Sequence, residues 1–334
     1  MDKRKPSLTQ VAEAAGVSKM TASRVLRNSG RFSGETRARV LQAADRLNYV
    51  PDRLAAAFGS ETASTLVGVL VPRLSGGLFG QVVETIDATL TRFGYQTLIG
   101  TYENRSKQEE AWLKSVLSWR PAGLILTGRG HTEGTSAMLK AATLPLVEIW
   151  DLNTRPTDIS VGINHFDCGY EMGRLFLSRG RRRIACAGAD ASAPGLGQVR
   201  FHGFQEALRD SGAPPAETEI VEDRPSFYQG FYAAQTLLAR HGKLDGIYFQ
   251  NDEMAIGGMA YCQSAGLGIP SDIGIAGWGG MDAAAILERR LTTTNVSTRA
   301  LGKAAAEALL TRVRGEPVRD VIEIPTKLIP GGTL

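Results

Sequence analysis

From residue 66 to 278 of this 334-residue chain, short apolar runs alternate with stretches of helical periodicity, and no other feature limits its fold so tightly. The runs fall at 66–71, 95–100, 122–127, 145–150, 184–188, 246–249 and 273–278. Strands separated by helices cannot pair as tight hairpins. They line up in parallel, with the helices covering both sheet faces. Over the roughly 270 residues of this body the pattern predicts two doubly wound sheets facing each other. The length allows two or three compact units, and 43% hydrophobic against 22% charged residues suits globular cores rather than disorder.

The first 62 residues have a different character. They carry 11 Lys and Arg against 6 Asp and Glu, a net charge of +5, while the remaining 272 residues sum to −1. A basic head on a near-neutral body predicts that the head meets a polyanion. Residues 8–26 read as two short helices broken at Gly16, with Val11, Ala12 and Ala15 on the inner face of the first and Val25 and Leu26 closing the second. Gly16 supplies a positive φ at the end of the first helix, and the Ser18 hydroxyl caps the second. This is a helix-turn-helix. Its second helix would carry Lys19, Met20 and Thr21 to base edges in the major groove, with Ser23 and Arg24 one turn on. A third helix, capped by Ser33 and lined by Val40, Leu41, Ala44 and Leu47, completes the core.

Val11-Ala12-Glu13-x-Ala15-Gly16-Val17-Ser18-x-x-Thr21-x-Ser23-Arg24-Val25, followed by Leu47-Asn48-Tyr49-x-Pro51-x-Arg53, resembles the lactose-repressor (LacI/GalR) family. The likeness continues through Gly68-Val69-Leu70-Val71-Pro72, Gly123-Leu124-Ile125-Leu126, Gln250-Asn251-Asp252-Glu253-Met254-Ala255 and Ile269-Pro270-x-Asp272-Ile273. It implies a small all-α helix-turn-helix head (1–50), a hinge helix and linker (51–65), and an α/β body (66–334). The body would have the fold of periplasmic sugar-binding proteins, with one subdomain at 66–162 and 294–322 and the other at 163–293 and 323–334. The resemblance adds Thr9, Asn28, Tyr49, Arg53 and Ala55 to the expected DNA contacts. It also implies a hinge helix that wedges an apolar side chain into the minor groove and kinks the duplex. Phe58 stands at that wedge position, where leucine is usual, and Gly59 departs from the pattern too. The alternative is that Phe58 anchors the linker on the body.

Ligands of doubly wound sheets sit at the carboxyl ends of the strands. The strand ends therefore nominate Leu74 and Phe79, Arg129 and His131, Glu148 and Trp150, and the segments holding Arg200, Asn251 and Gly279. By resemblance Arg200 reaches the effector through its guanidinium fork and Asn251 hydrogen-bonds sugar hydroxyls. Asp252 reads as structural, a helix cap. In Gly277-Trp278-Gly279-Gly280, Gly279 replaces an aspartate that in many relatives binds effector hydroxyls. A site without that charge suits an anionic ligand, although a glycine there also simply makes room.

The stretch from Leu117-Ser-Trp119 through Thr127-x-Arg129-x-His131-Thr132 to Pro145-x-Val147-Glu148 resembles the gluconate-operon repressor branch. The effector it implies is gluconate or a related sugar acid, with Arg200 or Arg129 on the carboxylate and Glu148 and Asn251 on hydroxyls. Two other readings stand beside this: Glu148 pairs with an Arg or His inside the cleft, and His131 serves as a strand-end hydrogen-bonder. The run Arg179-Gly-Arg-Arg-Arg183 reads as a solvated turn.

The expected protein is a dimeric repressor that binds a pseudopalindromic operator and is released by a sugar acid in the cleft. A neutral sugar effector or co-repression are the nearest alternatives. An enzyme on the same body is disfavoured, because no GxGxxG follows a strand and no GxxxxGK[ST] occurs. No cofactor or metal is expected: Cys168, Cys186 and Cys262 form no CxxC or Cys/His cluster and read as reduced, buried thiols. With no signal-like N-terminus and no apolar span, the expected location is cytoplasmic, away from any membrane. The absence of leucine heptads at the end of the chain predicts dimers rather than tetramers.

Overall fold

The computed structural model describes residues 6–26, 30–49, 64–75, 77–103, 106–128, 131–152, 156–189, 196–221 and 226–334. The chain divides into one compact unit ending at Ser64 and a second running from Thr65 to Leu334.

The first unit holds α1 (Leu8–Ala15), α2 (Lys19–Leu26) and α3 (Gly34–Arg46). Ser7 caps α1 in a reciprocal box with Gln10, a signal the sequence reading passed over. Gly16 ends α1 in the left-handed region (φ 64°), which lets Val17 N–H return to the Ala12 carbonyl at 3.0 Å. Val11, Ala12, Ala15, Ala22, Val25, Val40, Ala43 and Ala44 form the core. Leu41 does not join them. It is 43% exposed, and Ala43 takes the inner face of α3.

The second unit contains two six-stranded sheets. In chain order the first half has β1 (Leu66–Val71), α4 (Leu78–Arg92), β2 (Gln96–Thr101), α5 (Ser106–Ser118), β3 (Gly123–Thr127), α6 (Glu133–Ala142), β4 (Leu146–Asp151) and β5 (Ile159–Ile163). The second half has α7 (His165–Ser178), β6 (Ile184–Ala189), α8 (Leu196–Asp210), β7 (Glu217–Val221), α9 (Phe227–His241), β8 (Gly246–Phe249), α10 (Asp252–Ser264), β9 (Gly274–Gly279), α11 (Asp282–Ile286) and β10 (Thr292–Val296). The chain then returns through α12 (Thr298–Val313), β11 (Val321–Glu323) and β12 (Thr326–Ile329).

The first sheet runs β11-β5-β4-β3-β1-β2 and is parallel throughout. The second runs β12-β10-β9-β8-β6-β7 and is parallel except for β12 against β10. The chain crosses between the sheets after β5, after β10 and between β11 and β12. The middle crossing follows Val296, slightly beyond the position near 293 expected from the sequence, because Thr293 to Asn295 pair with both β9 and β12 and Val296 still pairs with β12.

Each sheet is buried on both faces, so its central strands are apolar without alternation. In the first, Val67, Val69, Ile125, Val147 and Ile149 meet α4 and α12, while Leu70, Leu124, Leu126 and Leu146 meet α5 and α6. In the second, α7 and α8 cover one face and α9 and α10 the other.

α7 and α8 cross with their backbones in contact. A Cβ on Gly169 would collide with the Arg200 carbonyl, and one on Gly203 with the Phe166 carbonyl. This close approach seats Arg200. Gly169→Ala is expected to lower unfolding stability by about 1–3 kcal/mol, an overpacking cost, as measured by denaturant unfolding.

Candidate functional site

In the head, Ser18 Oγ accepts the Thr21 N–H at 3.1 Å and lies 2.8 Å from the Thr21 hydroxyl, which fixes the first turn of α2. Lys19 and Met20 are left projecting from that turn, Met20 71% exposed. Thr9 is exposed on α1 and Ser23 is half-buried. Arg24 is exposed and rests its guanidinium over Phe32, 5.9 Å from the ring centroid. Tyr49 is half-buried against the head core, its N–H donating to the Ala44 carbonyl at 2.9 Å. Asn28, Arg53, Ala55 and Phe58, and with them the expected hinge helix, lie outside the described residues, as does Arg129.

In each sheet of the second unit the strand order reverses direction once, between β1 and β3 in the first and between β6 and β8 in the second. Side chains following β1 and β8 therefore stand at switch points, where such sheets open a crevice. A recess of about 280 Å³, including its open mouth, lies there. It is lined by Arg73, Leu78 and Phe79 from the first subdomain and by Asn251, Glu253 and Trp278, among others, from the second.

Behind the recess an aromatic chain joins the subdomains. Phe79 meets Trp150 edge-on at 5.1 Å between centroids, and Trp150 lies 6.2 Å from Trp278. Arg200, 3% exposed, stacks its guanidinium 3.9 Å from the Trp278 ring centroid, a desolvated cation–π contact. Its Nη2 donates to the Gln250 carbonyl at 2.8 Å and its Nη1 to His165 Nδ1 at 2.9 Å. Since Nδ1 accepts, His165 is neutral, with its proton on Nε2, which donates to the Trp150 carbonyl at 3.1 Å. Trp150 holds a positive φ of 81°, uncommon for so bulky a residue. Its Nε1–H is buried and has no hydrogen-bond partner among the described residues.

Asn251 caps α10, its Oδ1 accepting the Met254 N–H at 2.9 Å, which leaves its amide N–H groups for other work. The cap is thus Asn251 and not Asp252. Asp252, fully buried, instead accepts from Thr293 Oγ1 at 2.6 Å and from Met281 N–H at 2.7 Å, tying the loop after β9 to β10. Burial raises its pKa against the pull of those bonds.

Gly279 ends β9 with φ 128°, a conformation side chains rarely adopt, and a Cβ there would sit 3.0 Å from Leu78 of the facing subdomain. Conformation and close approach are therefore reason enough for the glycine, whatever the ligand's charge. Leu74 is 49% exposed.

His131 and Glu148 face each other. Glu109 Oε1 lies 2.6 Å from His131 Nδ1 and Glu148 Oε1 lies 3.5 Å from Nε2, all three side chains 6% exposed or less. Glu148 Oε2 also accepts the Thr157 N–H at 2.9 Å. Neither His131 nor Glu148 lines the recess. Of the two readings of Glu148 this geometry matches pairing with a histidine. Sequence reasoning missed Glu109, His165 and Arg73. The segment after β1 was nominated, but its cation was passed over for the adjoining Leu74.

A helix-turn-helix head together with a two-subdomain cleft unit defines a DNA-binding regulator with a small-molecule receptor module. The comparisons agree. Residues 7–52 match the model for bacterial regulatory proteins of the lacI family, and residues 64–330 match that for periplasmic binding proteins and the sugar-binding domain of the LacI family. The chain belongs to the LacI family, as a DNA-binding repressor and not an enzyme. It is 35% identical over 335 residues, 100% of both chains, to the HTH-type transcriptional regulator GntR of Escherichia coli K12. A solved LacI-family regulator from Silicibacter pomeroyi is 37% identical, with TM-score 0.91 over 98% of this chain and 99% of that one. The lac repressor dimer bound to operator and the anti-inducer ONPF is 25% identical, with TM-score 0.86 over 99% of each chain.

Burial alone would lower the His131 pKa, but hydrogen bonds and charge from Glu109 and Glu148 raise it to about 9. A raised folded-state pKa contributes stability that is complete below the unfolded value of about 6.5 and is lost as pH rises through the folded one. His131→Gln is therefore expected to flatten the fall in stability between about pH 6.5 and 9, a contribution of up to roughly 3 kcal/mol. Thermal melts of both proteins across that range measure it. Parallel pH curves would contradict the assignment.

Proposed function

We propose that the protein is a dimeric repressor that binds a pseudopalindromic operator and is released by a sugar acid such as gluconate in the cleft of the second unit, acting in the cytoplasm without metal or cofactor. The observation that carries this reading is one chain holding both a helix with Lys19 and Met20 projecting from its first turn and a two-sheet unit with a recess at its switch points, lined by apolar side chains and by Arg73, Asn251 and Glu253. The exposed first turn of α2 suits base-edge contacts, Lys19 to guanine and Met20 to a thymine methyl. Thr9, Thr21, Ser23, Arg24 and Tyr49 would place the head on the duplex, as would Asn28, Arg53, Ala55 and Phe58 outside the described residues.

The acid effector rests on the cations of the cleft. Arg73 stands in the recess wall, and Arg200 lies beneath Trp278. Glu253 in the recess wall favours a second reading, a neutral sugar whose hydroxyls donate to that carboxylate. In either case ligand and operator prefer different arrangements of the two subdomains, a coupling typically of about 1–3 kcal/mol. The likeness to the operator-bound lac repressor dimer supports a dimer here.

Fluorescence anisotropy on the protein's own upstream DNA, titrated with sugar acids and matched neutral sugars, tests this. Release by acids alone is expected. Release by neutral sugars alone would select the second reading, and no DNA binding would overturn the repressor. Arg24→Ala is expected to weaken operator binding by about tenfold or more while leaving ligand-induced thermal stabilisation unchanged. Loss of both would show that head and cleft are not separable.

A further inference from the structure

We infer that Arg73 is the residue that distinguishes a sugar acid from a neutral sugar in this cleft, holding the ligand carboxylate opposite the α10 N-terminus; the inference rests on the acid-effector reading above. The cations nominated from sequence among the described residues do not line the recess. His131 is enclosed between Glu109 and Glu148 behind the sheet end. Arg200 lies under the Trp278 ring with its fork on the Gln250 carbonyl and His165, and it is not part of the recess lining.

Arg73 is placed differently. It follows β1 at the switch point of the first sheet, it lines the recess, and it stands across from Asn251, which follows β8 at the switch point of the second. The two supply complementary chemistry: a charged fork for a carboxylate, and amide N–H groups, left over after Asn251 Oδ1 has capped α10, for hydroxyl oxygens. A ligand spanning them would bridge the subdomains.

The other charged group in the wall is Glu253, in the first turn of α10. Both side chains line the same recess; burial raises the Glu253 carboxyl pKa and the charge of Arg73 pulls it back. A second carboxylate beside Glu253 would be repelled by it and would draw on the same guanidinium. An entering acid therefore competes with Glu253 for Arg73, whereas a neutral sugar does not. Removing each partner must shift acid affinity in opposite directions, a pattern that mere damage to the cleft does not produce.

The test is isothermal titration calorimetry of the full-length protein with D-gluconate and with D-glucitol, which replaces the carboxylate by CH2OH. For R73Q a loss of roughly 10- to 100-fold in gluconate affinity is expected, the cost of charge-assisted hydrogen bonds. R73K should fall between R73Q and the native protein, and it keeps the question decidable if R73Q fails to fold by circular dichroism. E253Q should bind gluconate more tightly. Gluconate affinity in R73Q or R73K within twofold of native, or weaker binding in E253Q, overturns the assignment. Native protein that binds glucitol and not gluconate overturns the acid-effector reading itself, and the Arg73 role with it. That outcome is distinguishable because it appears before any substitution is made.

Discussion

A guanidinium almost withdrawn from water is the constraint around which the cleft is organised. A buried cation is costly unless every side of it is occupied, and the elements that occupy the sides of Arg200 come from across the second unit. The end of β9 supplies the Trp278 face, the turn after β8 supplies the Gln250 carbonyl, and the start of α7 supplies His165. The contact between α7 and α8 at Gly169 puts the arginine within reach of all three. His165 then passes the interaction on to the Trp150 carbonyl of the first subdomain, so a charge in one half sets the position of a strand end in the other.

That chain gives the cleft a two-sided construction. At its floor, aromatic rings and the Arg200–His165–Trp150 hydrogen bonds join the subdomains through groups that are dry and closely fitted. At its switch points, half-buried polar groups of the two subdomains, Arg73 on one side and Asn251 and Glu253 on the other, line a recess. The floor thus couples the two sheets through buried groups, while the recess lies where their strand ends face each other.

The head and the central strands were legible in the sequence because local chemistry dictates them. Gly16 and Ser18 set the turn, and the Val-, Leu- and Ile-rich runs of β1, β3, β4, β8 and β9 are buried on both faces. The edge strand β2 was legible as an apolar run, but the edge strands β7, β11 and β12 and the inner strands β5 and β10 were not. β7 is Glu-Thr-Glu-Ile-Val, mostly exposed at the end of its sheet, and β11 and β12 are short segments whose partners lie far away in sequence. At the site, motif position found Arg200 and Asn251. It could not show that His131 and Glu148 would enclose one another, since Glu109, the partner on the other side of the ring, belongs to a helix face that reads as ordinary solvated charge. Gly279 was legible as a departure from pattern, but its physical reason, a φ of 128° against Leu78, exists only in three dimensions.

The three crossings between the sheets have an evolutionary consequence. Each receptor subdomain is assembled from separated stretches of chain, so no single continuous piece of coding sequence specifies one half of the cleft. Recombination can exchange the head, whose three described helices are contiguous, and thereby rewire which genes are addressed. The chemical sense of the receptor has no such shortcut. Its drift from one metabolite to another must proceed by individual replacements along the walls, each tolerated by a floor that couples both halves.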